Sequence, residues 1–168
     1  MAMPAAIESF DFSNFDVVLS DASAFAKGVI VPPGALHICY CHTPTRYLWS
    51  DAHTYAQEVR VPRLARKFLP LALNYLRVWD RQAADRVDAF IANSKFVAQR
   101  IQKYYRREAT VIYPPVETSQ FGVSEDVGNY YVMMGRLRPY KKFDLAIRAF
   151  NELNIALKII GGGEEDAA

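Results

Sequence analysis

Six strand-length apolar runs, interleaved with segments of helical period, constrain this chain more than any other feature. They are DVVLS (16–20), LHICYC (36–41), DAFIA (88–92), TVIY (110–113), YYVMM (130–134) and ALKII (156–160). The intervening segments Leu64–Asp85, Lys95–Tyr105 and 140–153 read as helices. In the last, Phe143, Ala146, Ile147, Phe150 and Leu153 at three- and four-residue spacing mark one face as core, whereas the apolar residues of 64–85 spread too widely for a simple stripe. Strands that alternate with crossover helices build parallel sheets, so the fold class is α/β. The near-continuous apolar run Tyr130–Met134 predicts a strand covered on both faces. The polar, aperiodic stretch Val116–Gly128 divides the chain into two α/β units, residues 1–122 and 123–168. With two strands and one helix, the second unit leaves an apolar sheet face open and reads as incomplete.

Local signals set the remaining elements. Asn93-Ser94 is an N-cap pair that opens the helix Lys95–Tyr105. Asp21–Gly28 reads as a short helix closed by its glycine, Arg46–Trp49 as the start of another, and Pro70 as a bend within 64–85. Residues 1–15 show no period and read as an irregular lead-in. Cys39 and Cys41 are expected to point to opposite faces of their strand and to stay unbridged, which suits a reducing compartment. A C-x-C on a buried strand beside His37 and His42 lacks the turn of a zinc site, so no metal is expected.

Two places carry chemistry. Arg136, Arg138, Lys141 and Lys142 lie between strand 130–134 and the helix that follows Pro139, where a helix N-terminus presents free N–H groups and partial positive charge. Cations there oppose the helix, a conflict that bound phosphate relieves; a solvated basic loop is the competing reading. His42 stands just past the strand 36–41, where ligands meet open parallel sheets, although strand-end histidines also serve as hydrogen-bonded structural residues.

Hydrophobic content of 51% and charged content of 23% are those of a globular protein, and the net charge of +2 says little. Its distribution says more. Between Arg60 and Arg107 twelve Lys and Arg face three Asp, which suits a phosphate-bearing ligand or an anionic membrane surface. No apolar segment reaches spanning length and no leader is evident at the start, so the expected location is cytoplasmic, peripheral at the inner face of the membrane. No nucleic-acid reader motif accompanies the basic residues, and no nucleic-acid partner is expected.

Five segments taken together resemble glycosyltransferase family 4, the retaining GT-B enzymes, and among them its mannosyltransferase-like members. They are HICYCHTPTRYLW (37–49), FIANSKFVAQRI (90–101), VIYPPVE (111–117), GRLRPYKKFDLAIRAF (135–150) and LKIIGGGEE (157–165). The resemblance implies two Rossmann-like domains, the acceptor-side domain and the start of the donor domain, both incomplete in this chain. It implies transfer of a hexose, mannose by preference, from a nucleotide-diphosphate sugar such as GDP-mannose to a glycan or lipid-linked acceptor in polysaccharide biosynthesis, without a cofactor or catalytic metal. Arg136 and Lys141 match the positions that grip the donor diphosphate. Gly135, Gly161, Gly162 and Gly163 match backbone that approaches the donor, and His42 matches a histidine facing the donor sugar. Arg46, Tyr47 and Ser94 fall in matched segments as contacts at the donor cleft.

Two departures from the family pattern count against activity of the chain by itself. The family's glutamate pair would lie beyond Ala168, and Glu164 and Glu165 do not replace it; the first strand and its glycine-rich acceptor loop would precede Met1. A nucleotide-sugar epimerase of the same architecture is the nearest enzymatic alternative. A non-catalytic module that binds nucleotide or anionic membrane through residues 60–107 is the other.

Overall fold

A computed structural model describes residues 2–53, 55, 62, 66–123 and 125–163. The chain divides into two compact units, Met1–Val116 and Glu117–Ala168, at the leading edge of the polar stretch 116–128. Both are α/β with parallel strands.

In the first unit, β1 (Val17–Ala22), β2 (Leu36–Cys41), β3 (Ala89–Ala92) and β4 (Thr110–Val111) form a sheet in that order. Val17 pairs with Leu36, Ile38 with Ala89 and Ile91 with Thr110. Among the described residues the helices α1 (Ala2–Glu8), α2 (Leu69–Asp85) and α3 (Lys95–Tyr105) accompany the sheet. Cys39, Cys41, Phe90 and Ala92 from the sheet pack with Ala84 and Val87 at the end of α2 and with Val97, Ile101 and Tyr105 of α3. α3 starts where its cap predicts, with the Val97 amide donating to Ser94 Oγ at 3.2 Å.

The opposite sheet face is open. Val17, Leu19 and Leu36 are 55, 65 and 44% exposed, so β1 alternates between covered and uncovered positions and is not a buried run.

Several expectations are corrected by tertiary contacts. The lead-in contains the helix α1, anchored because Glu8 Oε1 accepts from Trp79 Nε1 and from Arg86 Nη2, both at 2.8 Å. The Trp79 bond, with Arg86 beside it, holds the Glu8 carboxyl below the usual range. β1 continues through Asp21 and Ala22 because β2 pairs with them, leaving a 3-10 turn, Ala26–Gly28, in place of a helix. Gly28 is required by packing: a Cβ there would lie 2.4 Å from the Trp79 ring. Pro70 stands in the first turn of α2, where a missing N–H costs little, and bends nothing; Leu64 and Ala65 lie outside the described residues.

Cys39 and Cys41 do not point apart. Residues i and i+2 of a strand share a face, and both thiols are buried and free in the core. Their mutual hydrogen bond, with burial, pushes the Cys41 thiol up.

In the second unit, β5 (Tyr131–Met134) pairs in parallel with β6 (Leu157–Ile160), joined by α4 (Phe143–Leu153). Tyr131 packs edge-on against Phe150 of α4 at 5.2 Å, and Phe143 is buried. β5 is not covered on both faces: Val132 and Met134 are 54 and 78% exposed, and among the described residues α4 is the one α-helix of this unit that packs on its two-stranded sheet. Ile147 and Leu153, expected in the core, are also exposed.

Candidate functional site

The carboxyl ends of the parallel strands in the first unit bring Asp21, His42 and Asn93 together. His42 follows β2 directly, its amide donating to the Ala22 carbonyl at 2.9 Å as the last rung between β1 and β2. Its Nε2 lies 2.5 Å from Asp21 Oδ1, and Asn93 Nδ2 donates to its carbonyl at 3.2 Å. The imidazole stands edge-on to Tyr40 at 5.4 Å, and the Tyr40 hydroxyl donates to the Ile112 carbonyl at 3.2 Å. Four strand ends are thereby linked. The His42 side chain remains 46% exposed, available to a ligand.

Other residues expected near it are engaged locally. Arg46 pairs with Asp51 at 2.7 Å, and hydrogen bonds from Ser50 and Arg46 hold the Asp51 carboxyl low. Tyr47 packs between Phe25 and Tyr55; burial, then the negative charge of Asp80, pushes its phenol up to about 12. The Ser94 hydroxyl is spent on capping α3.

Beneath this loop is a closed polar cluster. Lys27 Nζ lies 2.5 Å from Asp80 Oδ1, with their side chains 2 and 1% exposed. Thr45 Oγ1 donates to Asp80 Oδ1 at 2.7 Å, and Trp49 Nε1 and Tyr105 Oη donate to Oδ2 at 2.7 and 2.8 Å. The carboxylate thus receives four donors, two of them from residues that flank Arg46–Leu48. Burial, reinforced by Asp80, raises the Tyr105 phenol. His37 is also buried, its Nε2 2.9 Å from Ser20 Oγ.

The cationic loop of the second unit has a different shape from that expected. A 3-10 turn, Pro139–Lys141, precedes α4, and Lys142 at φ 56°, ψ 40° breaks the chain direction before the helix begins. Arg136 and Lys141 are exposed, and among the described residues neither is held in an ion pair; Lys141 Nζ lies 5.4 Å from the Tyr140 ring centroid. The Gly135 amide donates to the Ile160 carbonyl at 3.0 Å and the Leu137 amide to Gly162 at 3.2 Å, so the cationic loop and the glycine turn run side by side. A Cβ on Gly161 would fall 1.8 Å from the Gly135 carbonyl oxygen, and one on Gly163 2.6 Å from that of Leu137. Glu164 and Glu165 lie outside the described residues.

Four cations of the basic segment make structural contacts within the first unit. Arg77 donates to the Leu48 carbonyl, Arg81 pairs with Asp85, Arg86 binds Glu8 and the Gly28 carbonyl, and Arg107 binds carbonyls at the end of α2. Arg60 and Arg63 lie outside the described residues.

Sequence reasoning missed Asp21, which it placed in a helix, along with Asn93 as a partner of His42 and the Lys27–Asp80 pair. The usable signal for Asp21 was adjacency: consecutive parallel strands put the end of β1 beside His42.

Parallel α/β units with polar side chains gathered at strand ends define a class of ligand-binding proteins and enzymes. The family model described as Glycosyltransferase Family 4 matches residues 1–120, and no curated protein matches the chain. The chain belongs to glycosyltransferase family 4. The match contains Asp21, His42, Arg46, Tyr47 and Ser94; Arg136, Lys141 and the glycine turn follow it.

Proposed function

We propose that this family member is a retaining GT-B hexosyltransferase that moves mannose from GDP-mannose, or a related nucleotide-diphosphate hexose, to a glycan or lipid-linked acceptor. The observation that carries the reading is the strand-end His42, oriented by Asp21 and left accessible, within the segment that matches the family. In this reading His42 makes polar contact with the donor sugar and is not a proton-abstracting base. Arg136 offers a planar fork of donors to the diphosphate and Lys141 a compact charge, and both stabilise the leaving nucleoside diphosphate as negative charge develops. The close approach of Gly161 to Gly135 leaves backbone, not side chain, at that turn. A lipid-linked acceptor goes with a peripheral position at the inner face of an anionic membrane.

Calorimetric titration of GDP and GDP-mannose into the wild-type chain, Arg136→Ala and Lys141→Ala tests the reading. Loss of one charge-assisted contact should weaken binding about tenfold or more. Wild-type affinity in both variants would sink the diphosphate assignment. Product analysis with labelled GDP-mannose separates transfer from epimerisation, and retention of anomeric configuration is the expected outcome.

A further inference from the structure

The Asp21 and His42 side chains are 72 and 46% exposed, and a pair so open to water orients an imidazole only if the backbone beneath each residue is fixed. Beyond Ala22 the chain turns through Ala26–Gly28, and beyond Cys41 through Arg46–Leu48. Both exits end on one carboxylate, that of Asp80 in α2. Lys27 of the first exit reaches Oδ1 and also donates to the Ala24 carbonyl at 2.7 Å. Thr45 and Trp49 bracket the second turn and donate to Oδ1 and Oδ2, and the Leu48 carbonyl between them accepts from Arg77 of α2 at 2.8 Å. The Tyr105 hydroxyl completes the set of donors from the end of α3 and accepts from the Thr45 amide at 3.4 Å. The exits also touch directly, with Lys27 Nζ 3.5 Å from Thr45 Oγ1 and the Phe25 ring 6.5 Å from that of Tyr47.

We infer that Asp80 is a positioning residue for the strand-end pair: through Lys27 and Thr45 it sets the separation of the chain segments that carry Asp21 and His42. Net stability is a poor reason for the arrangement. Taking a lysine and an aspartate out of water is costly, and apolar side chains of similar volume commonly serve stability as well or better. What apolar contacts lack is direction, whereas four hydrogen bonds on two oxygens fix where Lys27, Thr45, Trp49 and Tyr105 stand. The backbone rung from His42 to Ala22 joins the two exits at their start, and Asp80 joins them again a few residues on. Asp21 and His42 lie beside the first of these ties. The inference rests on the reading of His42 as a contact to the donor sugar.

The test follows the His42 ring by proton–carbon correlation NMR of the full 168-residue chain, its signal being the one of three histidine signals that His42→Ala lacks. Asp21→Asn gives the position of that signal when the ring is loosened. Thr45→Val keeps the side-chain volume and removes one donor; the double variant Lys27→Met, Asp80→Leu leaves no charge unpaired. Both should move the His42 signal toward its position in Asp21→Asn. With labelled GDP-mannose the same variants should lose about tenfold in kcat at nearly unchanged KM, because orientation is lost and binding is not. Thr45→Ser keeps the hydroxyl and should restore both readings. Val87→Ala, a buried change just before β3 at the opposite end of the strands, should lower the melting temperature and leave the His42 signal in place. A His42 signal unmoved in folded Thr45→Val overturns the inference, as does one that Val87→Ala moves equally or that Thr45→Ser fails to restore. Wild-type kcat in a Thr45→Val chain whose signal has moved overturns it too. Signal shifts in the variants without any transfer by the wild type sink the transferase reading and leave the positioning of Asp21 and His42 by Asp80 standing.

Discussion

The Asp21 carboxylate and the His42 imidazole meet at 2.5 Å one step beyond the last backbone rung between β1 and β2. Both side chains are well exposed, so after screening the contact contributes no more than about 1 kcal/mol to stability. Its effect is to hold the ring in one orientation. His42→Ala should lower kcat/KM about a hundredfold if the ring contacts the donor in the transition state. Asp21→Asn, which keeps an acceptor but loosens the ring, should cost about tenfold. Melting temperatures of both should stay close to wild type. Full activity in His42→Ala would remove His42 from the site.

The Lys27–Asp80 pair predicts the opposite behaviour. Removing one member strands a buried charge, so Lys27→Met or Asp80→Leu should each destabilise the first unit by about 3–5 kcal/mol. The double variant should recover part of that loss, because no charge is then left unpaired. Denaturant unfolding of the two single variants and the double variant measures the coupling. Additive losses would show that the residues act separately.

What could be read in the sequence was what neighbouring residues decide. β2 ends at Cys41 and α3 spans Lys95–Tyr105 as expected, because His42-Thr43-Pro44 and Asn93-Ser94 are local stop and start signals. What escaped depends on partners distant in sequence. Asp21 belongs to a strand because Tyr40 pairs with it, and Lys27 becomes buried because Asp80, far along the chain, neutralises it. Counting cations could not reveal that Arg86 and Arg107 are spent on carbonyls. Apolarity likewise states what can be buried and not what covers it, as the exposed β5 shows. The strand-end position of His42 was legible, because it follows from topology, and its contact with the Asp21 carboxylate was not.

Gly161 should resist any side chain. A Cβ there would lie 1.8 Å from the Gly135 carbonyl oxygen, and backbone cannot swing aside as a flexible side chain does. Gly161→Ala must push the two strand ends apart and weaken the Gly135–Ile160 and Leu137–Gly162 hydrogen bonds, at a cost of about 1–3 kcal/mol. Amide exchange at Gly135 and Leu137 should accelerate, and GDP binding should weaken with it. Gly34→Ala, where a Cβ meets nothing within 4 Å, is the control and should leave both unchanged.

His37 should give the first unit a measurable dependence on pH. Its ring is fully buried, Nε2 meets Ser20 Oγ, and among the described residues Nδ1 has no hydrogen-bond partner. Burial pushes its pKa below the ordinary value, with the Asp88 charge opposing only in part. In the unfolded chain a histidine titrates near about 6.5. Between the lower folded value and that one, the unfolded state binds more protons than the native state, so stability rises with pH across this window. The contribution is complete above about pH 6.5 and is lost as pH falls toward the folded pKa. Melting curves of the wild type should therefore shift downward between about pH 7 and about pH 5. His37→Gln, which cannot take a proton, should start from a lower melting temperature because it disturbs the Ser20 contact, yet show a shallower slope over the same range. An identical slope in the two proteins would assign the pH dependence to other groups.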